Sequence, residues 1–257
     1  MTFQFYKYQA TGNDFVLIDN RGKQFSFSKE QIGRICDRKF GVGADGLMLI
    51  EKDASLDFNL IYYNSDGSQS LCGNGSRAAV QFASFLGMVK GRTAFNAYDG
   101  GHDAEILSDG IIRLKMNDVK GAHKGVDHFF INTGSPHYVK FVEGIQDLPV
   151  FEEGRRIRYS DPYKPGGTNV NYVELLPDNT IFVRTYERGV EDETLSCGTG
   201  VTAAALAASY HGYTSPVTVK TRGGDLAVEF KSGQSGTFQD IYLIGPAKKV
   251  FEGTLEL

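Results

Sequence analysis

Short β-rich runs alternate with a few helical patterns along the chain. The runs lie at residues 15–18, 47–50, 58–63, 111–116, 138–142, 171–175, 181–186, 217–220, 226–230 and 241–244. Their length and their content of Val, Ile, Leu, Phe and Tyr predict strands. Turn chemistry separates several of them, as in Ser108-Asp109-Gly110 and Pro177-Asp178-Asn179. Ser28 stands where it can cap a helix reaching to about Arg38. Segments 76–86 and 201–210 are rich in Ala with few polar residues, and a glycine follows each, Gly87 and Gly212, where a helix stops. A helix that is apolar on nearly all sides is a buried helix. The pattern therefore predicts strands wrapped around a central helix, twice over.

The two helices belong to a longer duplication. Thr11-Gly12-Asn13-Asp14-Phe15-Val16 lines up with Thr133-Gly134-Ser135-Pro136-His137-Tyr138-Val139, and Gly43-Ala44-Asp45-Gly46 with Gly167-Thr168-Asn169-Val170. Cys72-Gly73-Asn74-Gly75 lines up with Cys197-Gly198-Thr199-Gly200, and Gly100-Gly101 with Gly223-Gly224. These landmarks keep their order and nearly one separation, a period far longer than the roughly 20–50 residues of a solenoid repeat. The duplication predicts an α+β fold of two pseudo-symmetric domains, each a mostly antiparallel strand layer around its own helix. Residues 1–120 form the first domain and 121–247 the second, with the boundary near Lys120-Gly121-Ala122.

Composition removes several function classes. The 257 residues are 41% hydrophobic and 23% charged, which suits packed globular domains rather than disorder. Twenty-seven basic against 31 acidic residues leave a net charge of −4, and a general nucleic-acid binder would instead show a basic stripe. No apolar stretch approaches the ~18 residues of a membrane span, and the first residues lack a signal-peptide pattern. Cytoplasm is the expected location. Cys36, Cys72 and Cys197 are odd in number and widely spaced, a poor disulfide framework that suits a reducing compartment. No C-x-x-C pair is present, so no metal site is expected.

The chemistry concentrates at the duplicated cysteines. Cys72 and Cys197 each stand just ahead of a buried helix, whose first turn offers unpaired N–H groups and partial positive charge. Both favour a thiolate. The glycines that follow let backbone approach a bound carboxylate. Inverting a stereocentre needs a base on one face and an acid on the other, with roles that exchange in the reverse direction. Two thiols brought across a cleft by a pseudo-twofold meet that need, and they would titrate as a pair holding one proton. Cys36, inside a helical pattern, reads instead as a small buried hydrophobe. A redox pair is disfavoured, because catalytic dithiols usually sit as C-x-x-C.

Asn64-Ser65-Asp66-Gly67-Ser68 followed by Cys72-Gly73-Asn74-Gly75-Ser76-Arg77 resembles one signature of the diaminopimelate epimerases. Glu187-Arg188-Gly189, Glu193-Thr194 and Cys197-Gly198-Thr199-Gly200 resemble the other. Gly12-Asn13-Asp14-Phe15, Pro136-His137 and Thr168-Asn169-Val170 extend the resemblance over nearly the whole chain. It implies interconversion of LL- and meso-diaminopimelate without pyridoxal phosphate or metal, in lysine and peptidoglycan precursor synthesis. It also implies a homodimer, and a last strand, about 248–257, that completes the first domain. On this resemblance Cys72 and Cys197 are the catalytic thiols. The backbones of Gly73-Asn74 and Gly198-Thr199 hold the reacting carboxylate. Asn13, Asn64, Asn169 and Arg188 fix the distal amino-acid end, and Glu187 and His137 tune the thiols. Three features depart from the family pattern: Gly46 where many members carry Gln, Ser135 where many carry Asn, and one extra residue between Gly189 and Cys197.

Two other readings remain open on the residues alone. A cysteine-pair racemase of the proline or hydroxyproline type would need a pocket closed to a second amino-acid head, which Asn64, Asn169 and Arg188 argue against. A non-catalytic amino-acid binding protein would be marked by loss of a cysteine, and both are present.

Overall fold

A computed structural model describes residues 1–70 and 72–257. The chain divides into two units: Met1–Leu114 together with Gly245–Leu257, and Lys115–Ile244. Both are mixed layers of strands curled around one helix. Among the described residues no helix is long and apolar enough to cross a membrane.

The first unit starts with a hairpin, β1 (Thr2–Ala10) and β2 (Asn13–Asp19). Its two-residue turn puts Thr11 at φ 49° and Gly12 at φ 86°, the left-handed pair that a tight hairpin prefers. β2 then runs parallel to β3 (Gly46–Glu51), which pairs antiparallel with β4 (Phe58–Asn64). Between β2 and β3 lies α1 (Lys29–Cys36). Ser28 caps it, with the Gln31 N–H donating to Ser28 Oγ at 3.2 Å and the Ser28 N–H to Gln31 Oε1 at 2.9 Å. It stops short of Arg38 because the Asp37 carboxylate accepts the N–H groups of Lys39 and Phe40, both at 2.7 Å, and turns the chain. α2 (Gly73–Phe85), β5 (Arg92–Ala97), β6 (Gly100–Ile106) and β7 (Ile112–Lys115) follow.

The second unit repeats the plan. β8 (Ala122–Lys124) and β9 (Phe129–Asn132) lead into β10 (Pro136–Phe141), α3 (Val150–Arg158), β11 (Asn169–Leu176), β12 (Thr180–Glu187) and β13 (Asp192–Thr194). After them come α4 (Gly198–Ala208), β14 (Val217–Thr221), β15 (Gly224–Ser232) and β16 (Phe238–Gly245). The parallel pair β10–β11 matches β2–β3, and antiparallel β11–β12 matches β3–β4. β17 (Lys248–Glu256) pairs antiparallel with β1 along nearly its whole length.

Both faces of the middle strands are covered. Val16, Ile18, Leu47 and Leu49 pack with Ile32, Ile35 and Cys36 of α1, while the alternate positions Phe15, Leu17 and Met48 are buried on the α2 side. This is why residues 15–18 and 47–50 read as unbroken apolar runs instead of alternating ones. In the second unit Tyr138, Val170, Tyr172 and Tyr186 pack with Val150 of α3. Full burial of each such side chain contributes about 1.5–3 kcal/mol.

The helical cores run earlier than the Ala-rich segments suggested. α2 begins at Gly73 and α4 at Gly198, so both Cys-Gly-x-Gly turns are helical from the first glycine. All of α4 except Thr199 is buried. α3 was not anticipated: its sequence VFEEGRRIR is mostly charged, has a central glycine, and buries only Val150 and Gly154.

Candidate active site

Cys72 and Cys197 are the N-caps of α2 and α4, with matching extended backbones, φ −128° and φ −119°. Each leaves the first N–H groups of its helix without intrahelical partners, a local site for negative charge. The third residue of each helix is a glycine because the helix start is pressed onto the sheet. A Cβ on Gly75 would strike Met48 Cε, and one on Gly200 would strike Asn171 Oδ1.

In the first unit the half-buried Cys72 Sγ accepts the Gly75 N–H at 3.4 Å and lies 3.4 Å from Asn13 Oδ1. Asn13 Nδ2 in turn donates to Asp45 Oδ2. Arg38 bridges Asp45 Oδ1 at 2.8 Å and both oxygens of Asp14 at 2.7 and 2.9 Å, and Lys7 meets Asp14 at 2.7 Å. Burial works against the Asp14 charge, but the hydrogen bonds and charges of Arg38 and Lys7 outweigh it and hold Asp14 far below the usual carboxylate range. Asn13 is thus oriented from behind by a charged cluster. Asn64 ends β4 and donates to Ser68 Oγ at 2.9 Å and Ser70 Oγ at 3.1 Å, which ties it to its own loop. Gly73 and Asn74 are buried in the first turn of α2. Gly46 faces Asn64 across the β3–β4 ladder. Any side chain there would meet the ring of Tyr62, so a tyrosine fills the space that a Gln would claim.

In the second unit a line of hydroxyls leads from the thiol to a histidine. Buried Cys197 Sγ lies 3.5 Å from Thr199 Oγ1, which lies 3.3 Å from Ser135 Oγ, which lies 3.0 Å from His137 Nε2. His137 is fully buried, and burial first, then the charge of Arg188, lowers its pKa to about 3 against the opposing Asn171 hydrogen bond. Its ring is therefore neutral at pH 7. Nδ1 accepts Asn171 Nδ2 at 3.1 Å, which leaves the proton on Nε2 to donate to Ser135. His137 reaches the thiol through two hydroxyls and contributes no charge. Asn169 donates to Pro136 O at 2.9 Å and accepts the Arg188 N–H at 2.9 Å. The Arg188 guanidinium touches Gly166 O at 3.3 Å, and Glu187 Oε2 accepts the Thr194 hydroxyl at 2.9 Å. Gly198 is buried at the start of α4.

The duplication aligned Cys72 with Cys197 and Asn13 with Ser135; Asn13 touches Cys72 directly, while Ser135 reaches Cys197 through the Thr199 hydroxyl. Motif reading assigned no role to Asp45, Arg38 or Arg77. Arg77 is wholly buried in α2 and donates from Nη2 to Asn74 Oδ1 at 3.0 Å and Thr11 Oγ1 at 3.2 Å. A charged residue inside an otherwise Ala-rich segment was the signal that could have marked it. Cys36 packs in the α1 core, where burial pushes its thiol up to about 12.

Comparison with known proteins agrees with this duplicated arrangement. The family model described as diaminopimelate epimerase matches residues 5–120 and 129–250. The diaminopimelate epimerase of Flavobacterium psychrophilum is 48% identical over 254 residues, covering 97% of this chain and 99% of that protein. That of Chlorobaculum tepidum is 40% identical, covering 96% and 99%. Among solved structures, a PhzF-family phenazine biosynthesis protein of Bacillus anthracis superposes with a TM-score of 0.77 at 14% identity, covering all of both chains. A hydroxyproline epimerase of Agrobacterium vitis does so at 0.68 and 14%, covering 100% of this chain and 93% of that one. These two likenesses establish a shared α+β fold, while the family match and the close relatives settle the lineage: the chain belongs to the diaminopimelate epimerase family.

Proposed function

We propose that this chain is an isomerase that interconverts LL- and meso-diaminopimelate, with Cys72 and Cys197 as its acid–base pair. The observation that carries the reading is the cysteine N-cap repeated in both units, each at the head of a buried helix. One thiolate takes the α-proton and the other thiol returns a proton to the opposite face. The N–H groups of Gly73-Asn74 and Gly198-Thr199 bind the α-carboxylate and stabilise negative charge as it grows there. Asn13, Asn64, Asn169 and Arg188 bind the distal head, where the guanidinium fork suits a carboxylate. Glu187 assists beside the second half-site, and His137 acts as a neutral hydrogen-bond donor.

No step in this scheme calls on pyridoxal phosphate or a metal. The reaction would serve lysine and peptidoglycan precursor synthesis, the role expected of a diaminopimelate epimerase. Reactive thiols need a reducing compartment, which favours the cytoplasm. The homodimer expected from the family is checked by light scattering of the purified protein.

The test of the substrate is direct. Reduced protein, checked free of pyridoxal phosphate, is incubated with LL-diaminopimelate, proline or lysine, and stereoisomers are separated chromatographically. Conversion of diaminopimelate alone is expected. Conversion of proline instead would move the protein to the racemases of the fold, and no conversion of any of the three would remove the assignment.

A further inference from the structure

The buried guanidinium of Arg77 is unexplained by the reaction scheme above. Among the described residues its Nε and Nη1 have no hydrogen-bond partner, and its two acceptors, Thr11 and Asn74, are neutral and share Nη2. No carboxylate among the described residues pairs with it. The charged groups on the strands packed against α2 are engaged elsewhere or exposed. Asp14 of β2 is held by Lys7 of β1 and by Arg38, and Asp19 by Arg21. Glu51 of β3 accepts from Asn20, Glu105 of β6 lies by Arg92 and Arg113, and Glu252 of β17 pairs with Lys249. His102 of β6 pairs with Asp99, and Asp103, Lys248 and Glu256 are exposed. The remaining titratable groups on these strands are tyrosines, Tyr6 and Tyr8 of β1 and Tyr62 and Tyr63 of β4. A buried cation away from any carboxylate is costly, and a neighbouring anion relieves it.

The anion available is Cys72 once its thiol gives up the proton that faces Asn13 Oδ1: the Arg77 guanidinium reaches back to Asn74, two residues after Cys72 in the same turn, at 3.0 Å, and to Thr11, two residues before Asn13, at 3.2 Å. The second unit lacks this device. The residue at the duplicated position is Thr202, a neutral side chain whose hydroxyl donates to Gly198 O of its own helix at 2.9 Å.

We propose that Arg77 is a positioning residue that makes the thiol pair unequal: its buried guanidinium holds Cys72 as the resting thiolate and leaves Cys197 as the resting thiol. The inference rests on the two-thiol reading. In the first passage Cys72 accepts the α-proton and Cys197 gives up its own. The enzyme then stands as Cys72 thiol and Cys197 thiolate, and it returns to rest when Cys72 loses a proton to solvent and Cys197 regains one. Burial lowers the Arg77 pKa to about 10 and the Cys72 charge opposes that shift, so the cation persists throughout the neutral range.

The test reads thiolates without substrate. Iodoacetamide alkylation is followed against pH by peptide mass in Cys197→Ala, which retains Cys72, and in Cys72→Ala, which retains Cys197. The Cys72 midpoint should lie about one pH unit or more below that of Cys197, a roughly tenfold difference in thiolate, the size an adjacent opposite charge produces. Adding Arg77→Gln should raise the Cys72 midpoint and leave that of Cys197 in place, and Arg77→Lys should restore part of the shift. Equal midpoints, or a folded Arg77→Gln protein with an unmoved Cys72 midpoint, would overturn the proposal. If Arg77→Gln does not fold, the two midpoints in the Arg77 background decide. Failure to epimerise diaminopimelate would sink the substrate assignment and leave these midpoints readable.

Discussion

The two cysteine-headed helices are built alike and furnished differently. Cys72 caps α2 with its own sulfur, touches an asparagine held by a charged cluster, and has a buried arginine in its helix. Cys197 caps α4 beside a run of neutral hydroxyls that ends on a neutral histidine. The backbone turn, repeated almost unchanged, supplies what both thiols need: N–H groups and a helix dipole. The side chains around it have diverged, and they set how each thiol divides its time between charged and neutral forms. A pair that must hold one proton between them gains a defined resting state from such inequality.

The comparison can be broken in several places. Removing either thiol gives the largest effect: Cys72→Ala and Cys197→Ala should each lower turnover on diaminopimelate by about 10²–10⁴-fold or more, with the fold intact by circular dichroism. Near-normal turnover in either variant would end the two-thiol account.

The glycines offer a structural contrast. Gly200→Ala should cost about 1–3 kcal/mol in urea unfolding, because its Cβ meets Asn171 Oδ1, itself fixed by the Thr185 hydroxyl at 2.9 Å. Gly75→Ala should cost less, since the severe clash it makes is with the flexible end of Met48. The reverse order would show that the second helix start is the looser one.

His137 predicts a pH effect of definite sign. Its folded pKa of about 3 lies below the ordinary 6.5, so the unfolded chain binds more protons between those values. Its stabilising contribution is complete above about pH 6.5 and falls by up to about 1.4 kcal/mol per unit as pH drops toward 3. His137→Gln should flatten the wild-type loss of urea resistance between pH 7 and pH 5. An unchanged slope would mean that His137 is not held neutral.

The smallest effect is expected at Thr199. Its hydroxyl is a neutral donor in the chain to Cys197, and a net neutral hydrogen bond is worth about 0.5–1.5 kcal/mol. Thr199→Val should therefore raise the Cys197 alkylation midpoint by less than Arg77→Gln raises that of Cys72. A larger shift at Cys197 would reverse the ranking of the two environments.

The sequence made the duplicated frame visible because backbone necessities leave residue-level marks. Glycine follows both cysteines because the helix starts are pressed onto strands, and alanine fills both helices because strands close around them. The short runs at 15–18 and 47–50 were readable as strands because both faces are buried. β1 was not read, although Phe3 and Phe5 alternate with polar residues, because its partner β17 is mostly exposed and weakly patterned. α3 escaped because charge and a central glycine mask a helix that buries only two residues. The cysteines and their glycines could be named in advance. The contacts that distinguish the two thiols could not, because Asn13–Asp45, Arg38–Asp14, Ser135–Thr199 and Arg77–Thr11 join residues 24 to 66 positions apart, which no local spacing encodes.

The central claim is that two groups share the proton transfers, and isotope placement tests it most directly. The wild-type enzyme is given LL-diaminopimelate in D₂O and stopped at low conversion, and substrate and product are separated and weighed by mass spectrometry. A two-thiol mechanism delivers the new hydrogen from a group already exchanged with solvent, so the first meso product should carry deuterium at the inverted carbon while remaining substrate keeps protium. Product that retains the original protium would mean that one base removes and returns the same proton, and would contradict the account.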